Sequence, residues 1–240
     1  KGYLLDPSDI PTDIAKRSKI LWINYPNNPT GAVADKKYFE NIVNFCLEYD
    51  IALLHDACYT EVTFDGYIAP SILEIKGAMD ISIEFHSLSK TANMTGWRVG
   101  AAVGNPEMIN ALMRVKSNID SGLPQAIQQM GIKAFNLSKE WLFNNNEIYR
   151  KRRDKVVDVL NSIGVNTIAP KAGLYIWTPV PKGYTSAEFA SELLEKVNVV
   201  VTPGNGYGTG GEGYIRLSLT IPDDQIDEGL NRLSKFRINS

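Results

Sequence analysis

Three apolar segments in the first half of the chain end in polar side chains that could do chemistry. The polar residues at those ends are Asn27 and Asn28, then Asp56, and then Ser87, Ser89 and Lys90. Lys90 has no Asp or Glu within five residues on either side. A lysine that is partly desolvated keeps more of its neutral amine. That amine can attack a carbonyl carbon and form a Schiff base, so Lys90 is a candidate nucleophile.

The elements that must position these residues are predicted from the hydrophobic pattern. The three segments have the length of buried strands, and helical patterns separate them, which is typical of β-α-β units in a sheet covered on both faces. One such helix spaces Tyr38, Ile42, Phe45 and Leu47 as one apolar face. If the three strands are parallel neighbours, their carboxyl ends meet at one crevice, where ligands bind in open α/β sheets.

The pattern changes in the second half of the chain. A long, charged helix is predicted from Ser138 to about Ile163, and its basic run "YRKRRDK" is expected to form a solvated face. Beyond it, "AGLYIWTPV", "VNVVVTPG" and "GYIRLSLT" are predicted strands. Helices are predicted over 186–196 and 223–236.

Length and composition limit the classes of function. With 240 residues the chain can form two domains, and we expect an α/β domain over 1–144 and a smaller α+β domain over 145–240. The net charge of −2 gives no electrostatic basis for binding nucleic acid or an anionic membrane. No apolar run reaches the roughly 20 residues of a membrane-spanning helix. Two Cys and two His in no metal-ligand spacing argue against a metal site and favour a reduced, cytoplasmic setting.

Four motifs carry a resemblance to a known family. They are "YPNNPTG", "HDACY", "SLSKTANMTGWRVG" and "YIRLSL", in this order along the chain. Together they resemble the class I/II aminotransferases, a family of pyridoxal-phosphate-dependent enzymes of fold type I. The resemblance implies the C-terminal part of the large domain of that fold, a mostly parallel sheet with helices on both faces, followed by a small α+β domain. It also implies pyridoxal 5'-phosphate as cofactor and a homodimer.

The resemblance assigns four residues to the cofactor ring. Lys90 resembles the lysine that holds the cofactor covalently and moves the proton of the substrate. Asp56 resembles the carboxylate that faces the pyridine nitrogen and keeps that nitrogen protonated. Tyr59 and Asn28 resemble the two residues that hydrogen-bond the phenolic oxygen of the ring.

Three further residues match anion-binding positions of the family. Ser87 and Arg98 resemble ligands of the cofactor phosphate, for which a guanidinium fork is well suited. Arg216 resembles the arginine that binds the α-carboxylate of the substrate. The residues themselves support this assignment, because polar and apolar side chains alternate over 214–219 and Arg216 falls on the polar face.

The implied reaction transfers an amino group from an amino acid to a 2-oxo acid. The motif regions look most like LL-diaminopimelate aminotransferases, which implies LL-diaminopimelate as donor, 2-oxoglutarate as acceptor and a role in lysine biosynthesis. Aspartate, alanine and aromatic aminotransferases share the scaffold and stay as alternatives, as does the effector-sensing domain of some transcription regulators. The chain begins at Lys1 and resembles the C-terminal part of such an enzyme, so we expect it to be poorly active by itself.

Two short motifs point elsewhere. "GYGTGG" (206–211) fits the glycine pattern of a dinucleotide-binding loop, but a strand-like segment follows where that site needs a helix, so a flexible loop is expected. "SLSK" also fits the S-x-x-K pattern of penicillin-binding enzymes, but their companion motifs SDN and KTG are absent. His55 and His86, which precede the strand ends, are expected to pack or hydrogen-bond there.

Overall fold

The computed structural model describes residues 2–238. Within them the chain forms two compact units: the first comprises 2–27 and 32–143, and the second comprises 28–31 and 144–238. Residues 28–31 therefore belong to the second unit, whereas the predicted domain boundary assigns them to the first domain. Residues 1, 239 and 240, the outer ends of the two predicted domains, lie outside the described residues.

A four-stranded mixed sheet runs through the first unit. Its strands are β1 (Ile20–Asn24), β2 (Ala52–Asp56), β3 (Ser82–Ser87) and β4 (Gly100–Gly104), in the order β1-β2-β3-β4. The first three are parallel neighbours, and β4 runs antiparallel to β3. The prediction of three parallel neighbouring strands is thus confirmed, and their carboxyl ends lie at one edge of the sheet.

Helices connect and follow these strands. They are α1 (Thr12–Arg17), α2 (Lys36–Glu48), α3 (Ala78–Ile81), α4 (Leu88–Thr91), α5 (Pro106–Lys116) and α6 (Gln125–Phe135). A long helix, α7 (Lys139–Ser162), matches the predicted one closely, and the division between the units falls within it. No helix among residues 2–238 combines the length and the apolar character needed to cross a membrane.

Helix α2 buries a face that matches the predicted one in part: Ile42 is buried, and Tyr38 and Phe45 are partly buried against the same core. It begins after Asp35, whose carboxylate accepts the N–H of Tyr38 at 2.7 Å. Leu47, predicted on the buried face, is 44% exposed. It lies about a quarter of a turn from the centre of the face that packs on the sheet. The buried residues of α2 are Phe39, Ile42, Val43 and Cys46.

The second unit has its own sheet. Strands β5 (Tyr175–Pro179), β6 (Thr202–Pro203) and β7 (Tyr214–Ser218) pair antiparallel in the order β5-β7-β6. Helices α8 (Ser186–Val197) and α9 (Asp223–Leu233) accompany them. The predicted strand "VNVVVTPG" is wrong over most of its length. Helix α8 continues through Val197, and the chain then turns at Asn198, whose φ of 53° ends the helix.

The basic run on α7 is a solvated face only in part, because Lys151 and Lys155 are exposed as predicted whereas Arg153 is not. Arg153 is buried, with Nη1 donating to the Pro170 carbonyl oxygen at 2.9 Å and Nε donating to Asp154 at 2.8 Å. It lies four residues after the buried Tyr149, on the stripe of α7 that faces the core of the second unit. A run of charges in a sequence does not indicate which helix face turns inward, so the pattern missed this burial.

Candidate active site

Asp56 is held at the carboxyl end of β2 by two neighbours. Asn24, at the end of β1, donates from its side-chain amide to the main-chain oxygen of Asp56 at 2.8 Å. The carboxylate of Asp56 accepts the backbone N–H of Cys58 at 3.2 Å. An ionised carboxylate has acceptor sites for several donors. Asp56 therefore keeps a defined orientation at the strand end and retains capacity for another donor.

Lys90 follows β3 on the one-turn helix α4. Ser87, the last residue of β3, caps this turn by accepting the N–H of Ser89 at 3.2 Å. The turn leaves Lys90 half-buried, with its Nζ 5.8 Å from the centroid of the Tyr59 ring. Tyr59 is itself buried, in the loop that follows β2. The structure thus brings together Lys90 and Tyr59, which are 31 residues apart in the sequence.

Cys58 interacts with both charged candidates, Asp56 and Lys90. Its thiol pKa is raised to about 12, first by burial and then by the hydrogen bond to Asp56 and the charge of that carboxylate, while the charge of Lys90 opposes the rise. A thiol with such a pKa is a poor nucleophile at neutral pH. Cys58 is therefore a hydrogen-bond partner of Asp56, and it lies within electrostatic range of both Asp56 and Lys90.

Arg98 precedes β4 in an unusual backbone conformation. Its φ of 55° is in the left-handed region, which is uncommon for a residue with a side chain and recurs at functional sites. The side chain is exposed, and Nη1 donates to the carbonyl oxygen of Thr95 at 3.1 Å. A guanidinium carries five donors, so this contact leaves most of them for an anion.

A cavity of about 250 Å³ opens beside the end of β3. Its lining includes His86, Ser87, Thr91 and Phe135, and it does not include Asp56, Tyr59 or Lys90. Of the cofactor candidates, Ser87 alone among the described residues lines it. The cavity therefore lies next to the candidate site rather than over its reactive groups.

In the second unit, Arg216 lies on β7 and its guanidinium is close to two aromatic rings. Its guanidinium carbon is 4.0 Å from the centroid of the Tyr175 ring and 5.2 Å from that of the Tyr207 ring. Nη1 donates to Oδ1 of Asn28 at 3.1 Å. Nε is buried and has no partner among the described residues. Since an unpaired buried donor is costly, this guanidinium is well prepared to bind a carboxylate.

The contact of Asn28 differs from the one that the resemblance implies. The resemblance directs this side chain to the phenolic oxygen of the cofactor ring, whereas in the structure its carbonyl oxygen accepts from Arg216. An amide has a separate NH₂ donor that could serve such an oxygen. The implied role of Asn28 toward the ring stays a prediction.

Three residues in contact with the candidate groups were not predicted from the sequence: Tyr175, Tyr207 and Cys58. Trp177 is the cross-strand neighbour of Arg216, so strand alternation could have placed Tyr175 on the same face. Tyr207 lies in the glycine-rich loop, within the turn Gly204–Tyr207, and no local pattern identifies it as a partner of Arg216. Strand β7 follows that loop, as predicted, which excludes the helix that a dinucleotide site requires.

The candidate residues of the first unit provide the types of functional group that bind pyridoxal phosphate. Lys90 supplies an amine, Asp56 a carboxylate for a ring nitrogen, Tyr59 a phenol, and Ser87 and Arg98 donors for a phosphate. No group of three or more His, Cys, Asp or Glu side chains within 2–238 is placed to hold a metal ion. The donor set is therefore that of an organic, anionic cofactor with a carbonyl group.

The α/β fold, with a lysine directly after its third parallel strand and an aspartate at the neighbouring strand end, is that of the fold type I aminotransferases. The chain belongs to the family described as aminotransferase class I and II, whose profile matches residues 1–233. Members of this family generally depend on pyridoxal phosphate. The family resemblance and the fold class predicted from the sequence are thus confirmed.

Individual relatives agree with this assignment. The chain is 58% identical over 239 residues to an LL-diaminopimelate aminotransferase of Dehalococcoides mccartyi strain BAV1, with 100% of this chain and 62% of that protein covered. Apo BacF from Bacillus subtilis has a TM-score of 0.93 at 33% identity, over 99% of this chain and 61% of that one. An aminotransferase from Staphylococcus aureus has a TM-score of 0.91 at 35% identity, over 97% and 62%. The chain thus spans about three fifths of the length of the curated relatives it matches.

The reactivity of Cys58 tests the grouping of Asp56 and Lys90. Replacing Asp56→Asn removes the charge that raises the thiol pKa, so the pKa should fall and alkylation by iodoacetamide at pH 8 should become severalfold faster. Replacing Lys90→Met removes the opposing charge, so alkylation should become slower. Peptide mass spectrometry of timed samples measures both rates.

Cys46 is the internal control for this experiment. Its pKa is raised to about 12 by burial alone, so neither substitution should change its rate of alkylation. Equal rates for Cys58 in all three proteins would show that Asp56 and Lys90 do not act on that thiol.

Proposed function

We propose that the protein carrying this chain is a pyridoxal-phosphate-dependent aminotransferase that moves the amino group of LL-diaminopimelate to 2-oxoglutarate. The observation that carries the reaction class is the placement of Lys90 directly after the third parallel strand, 5.8 Å from the Tyr59 ring. Family membership supports the same class. From the resemblance we also infer a homodimer that acts in the cytoplasm.

Each candidate residue of the first unit has a separate role in the proposed reaction. When bound, pyridoxal phosphate supplies an electron sink for the carbanion that an amino acid leaves on losing its Cα proton. Lys90 holds the cofactor and then, as a free amine, takes the Cα proton and returns it as a general acid and base. The carboxylate of Asp56 keeps a proton on the ring nitrogen. Tyr59 donates to the phenolic oxygen, and Ser87 and Arg98 bind the phosphate.

Arg216 binds the α-carboxylate that donor and acceptor have in common. The nearby Tyr175 and Tyr207 rings restrict the guanidinium, and the contact with Asn28 fixes one edge of it. A planar fork that is already ordered loses little entropy when it binds a carboxylate bidentately. The same group therefore serves the amino acid and the oxo acid in turn.

The identity of the substrates is supported by relatives rather than by a side chain in this chain. The Dehalococcoides mccartyi relative carries the name LL-diaminopimelate aminotransferase, and a relative from Moorella thermoacetica, 52% identical over 234 residues, carries the same name. Identity of that degree over nearly the whole chain favours a shared donor. Aspartate, alanine and aromatic amino acids are the alternative donors.

A comparison of donors tests the substrate assignment. The protein at its natural length is assayed with LL-diaminopimelate, aspartate, alanine and phenylalanine, each with 2-oxoglutarate. We expect kcat/KM for LL-diaminopimelate to exceed the others by at least about tenfold, a difference of about 1.4 kcal/mol in transition-state binding. A higher kcat/KM for any of the other three would make the proposed donor wrong and leave the reaction class intact.

Lys90 is expected to be the lysine that holds the cofactor. Incubation with pyridoxal phosphate followed by borohydride should leave a stable label on the peptide that contains Lys90, detected by mass spectrometry. Lys90→Ala should lose both the label and turnover. Lys76→Ala removes an exposed lysine of the same unit and should retain both. A label on a different lysine of the wild type would refute the role of Lys90.

The fork of Arg216 is tested by a substitution that keeps its charge. Arg216→Lys loses bidentate geometry and the stacking on Tyr175, so KM should rise about tenfold or more for amino acid and oxo acid alike. The change in kcat should be smaller, because the reacting groups are untouched. Arg232→Lys alters an exposed arginine of the same unit and serves as the control. An unchanged KM for both substrates in Arg216→Lys would move the carboxylate site elsewhere.

A further inference from the structure

A buried carboxylate and two histidines connect the strands of the first unit just before their carboxyl ends. His55 on β2 and Glu84 on β3 are opposite one another in the strand register, and their residues are 0% and 2% exposed. Nδ1 of His55 lies 3.1 Å from Oε2 of Glu84. His86, two residues further along β3, places its Nε2 2.8 Å from Oε1 of the same carboxylate. The predicted hydrogen-bonding role of both histidines is thus confirmed.

The contacts of His55 determine its protonation. Its Nε2 lies 2.8 Å from the main-chain oxygen of Tyr25, which directly follows β1. A carbonyl oxygen carries no hydrogen, so Nε2 must donate. Nδ1 faces an oxygen of Glu84, so a proton must lie between those two atoms as well. His55 is doubly protonated unless that second proton belongs to Glu84.

The surroundings of Glu84 assign the second proton to His55. Besides the two histidines, the Ser71 hydroxyl donates to the carboxylate at 3.0 Å and the Ile72 backbone N–H donates at 2.9 Å. Burial raises the pKa of Glu84, but the hydrogen bonds that its carboxylate accepts outweigh the effect of burial, and the net pKa lies well below its usual range. Glu84 is therefore the anion of the pair.

The network reaches the neighbours of two proposed cofactor residues. His55 directly precedes Asp56, and His86 directly precedes Ser87. The carboxylate of Glu84 therefore contacts the residue before the last one of β2 and of β3. Through its contact with Tyr25, His55 also connects this carboxylate to the end of β1. A shift of β2 against β3 would break contacts with a charged group that is closed off from water, which is costly.

We propose that His55 is an imidazolium at neutral pH and that its ion pair with Glu84 is a positioning element for the ends of β2 and β3. It sets the placement of Asp56 and Ser87, and through Ser87 the turn that carries Lys90. The protonation state rests on the contacts of His55 and of Glu84. The positioning of cofactor groups rests on the proposed function.

Nitrogen-15 NMR of histidine tests the protonation state. These 240 residues contain two histidines, so a sample of them labelled at histidine gives two imidazole spin systems, and His86→Asn assigns them. We expect both ring nitrogens of His55 to carry a hydrogen at neutral pH. A ring nitrogen of His55 without a hydrogen would overturn the ion pair.

Glu84→Gln tests the positioning. It preserves the shape of the side chain and removes its charge, so the backbone amide signals of Asp56 and Ser87 should shift, and the affinity for pyridoxal phosphate should fall at least about tenfold. Glu40→Gln removes an exposed carboxylate of the same unit, which pairs with Lys37, and should change neither reading. Unchanged amide signals and an affinity within about twofold of the wild type would overturn the proposal.

His86→Asn gives a second route if Glu84→Gln does not fold. The His86 side chain is 35% exposed, so its replacement disturbs the core little. It removes one donor to Glu84 and should shift the amide signal of Ser87 more than that of Asp56; no shift at Ser87 would count against the proposal. If the wild type at its natural length binds no pyridoxal phosphate, the proposed function fails, and the amide signals still decide whether the ion pair positions the strand ends.

Discussion

The in-register parallel pairing of β1, β2 and β3 is the constraint on which the candidate site depends. Asn24 lies opposite Asp56, and Asp56 lies opposite Phe85, so the chain leaves each strand at nearly the same level of the sheet. Parallel strands require long crossover connections, which is why residues far apart in sequence are delivered to one edge. Without this register, the lysine after β3 and the carboxylate at the end of β2 would not lie at the same edge of the sheet.

Side chains reinforce what the backbone ladder begins. The amide of Asn24 reaches across to the main chain of Asp56, and the carboxylate of Glu84 connects β2 to β3 through His55. Buried polar groups of this kind stabilise a structure only when all of them are bonded. In return they restrict the strand ends more tightly than apolar packing does, because a hydrogen bond tolerates little displacement. A reactive lysine needs such a rigid base for its turn.

The second unit arranges its charged group by other means. In its antiparallel sheet, side chains alternate between a buried face and a half-exposed one, and Arg216 lies on the half-exposed face beside Tyr175. The aromatic rings restrict the guanidinium, and Asn28 uses one of its donors. An arginine held in this way is ordered before a carboxylate arrives, so binding costs less conformational entropy.

The sequence by itself determined most of the strands, the order of the motifs, the family and the polar face that carries Arg216, because strand alternation and motif spacing are local properties. It did not determine that Leu47 is exposed, that Arg153 is buried, or that "VNVVVTPG" is mostly not a strand. Only the tertiary structure shows that Asn28 accepts a hydrogen bond from Arg216, 188 residues away, and that several donors surround the carboxylate of Glu84. Such contacts depend on which surfaces meet after the chain has folded, and no pattern of a few neighbouring residues contains that information.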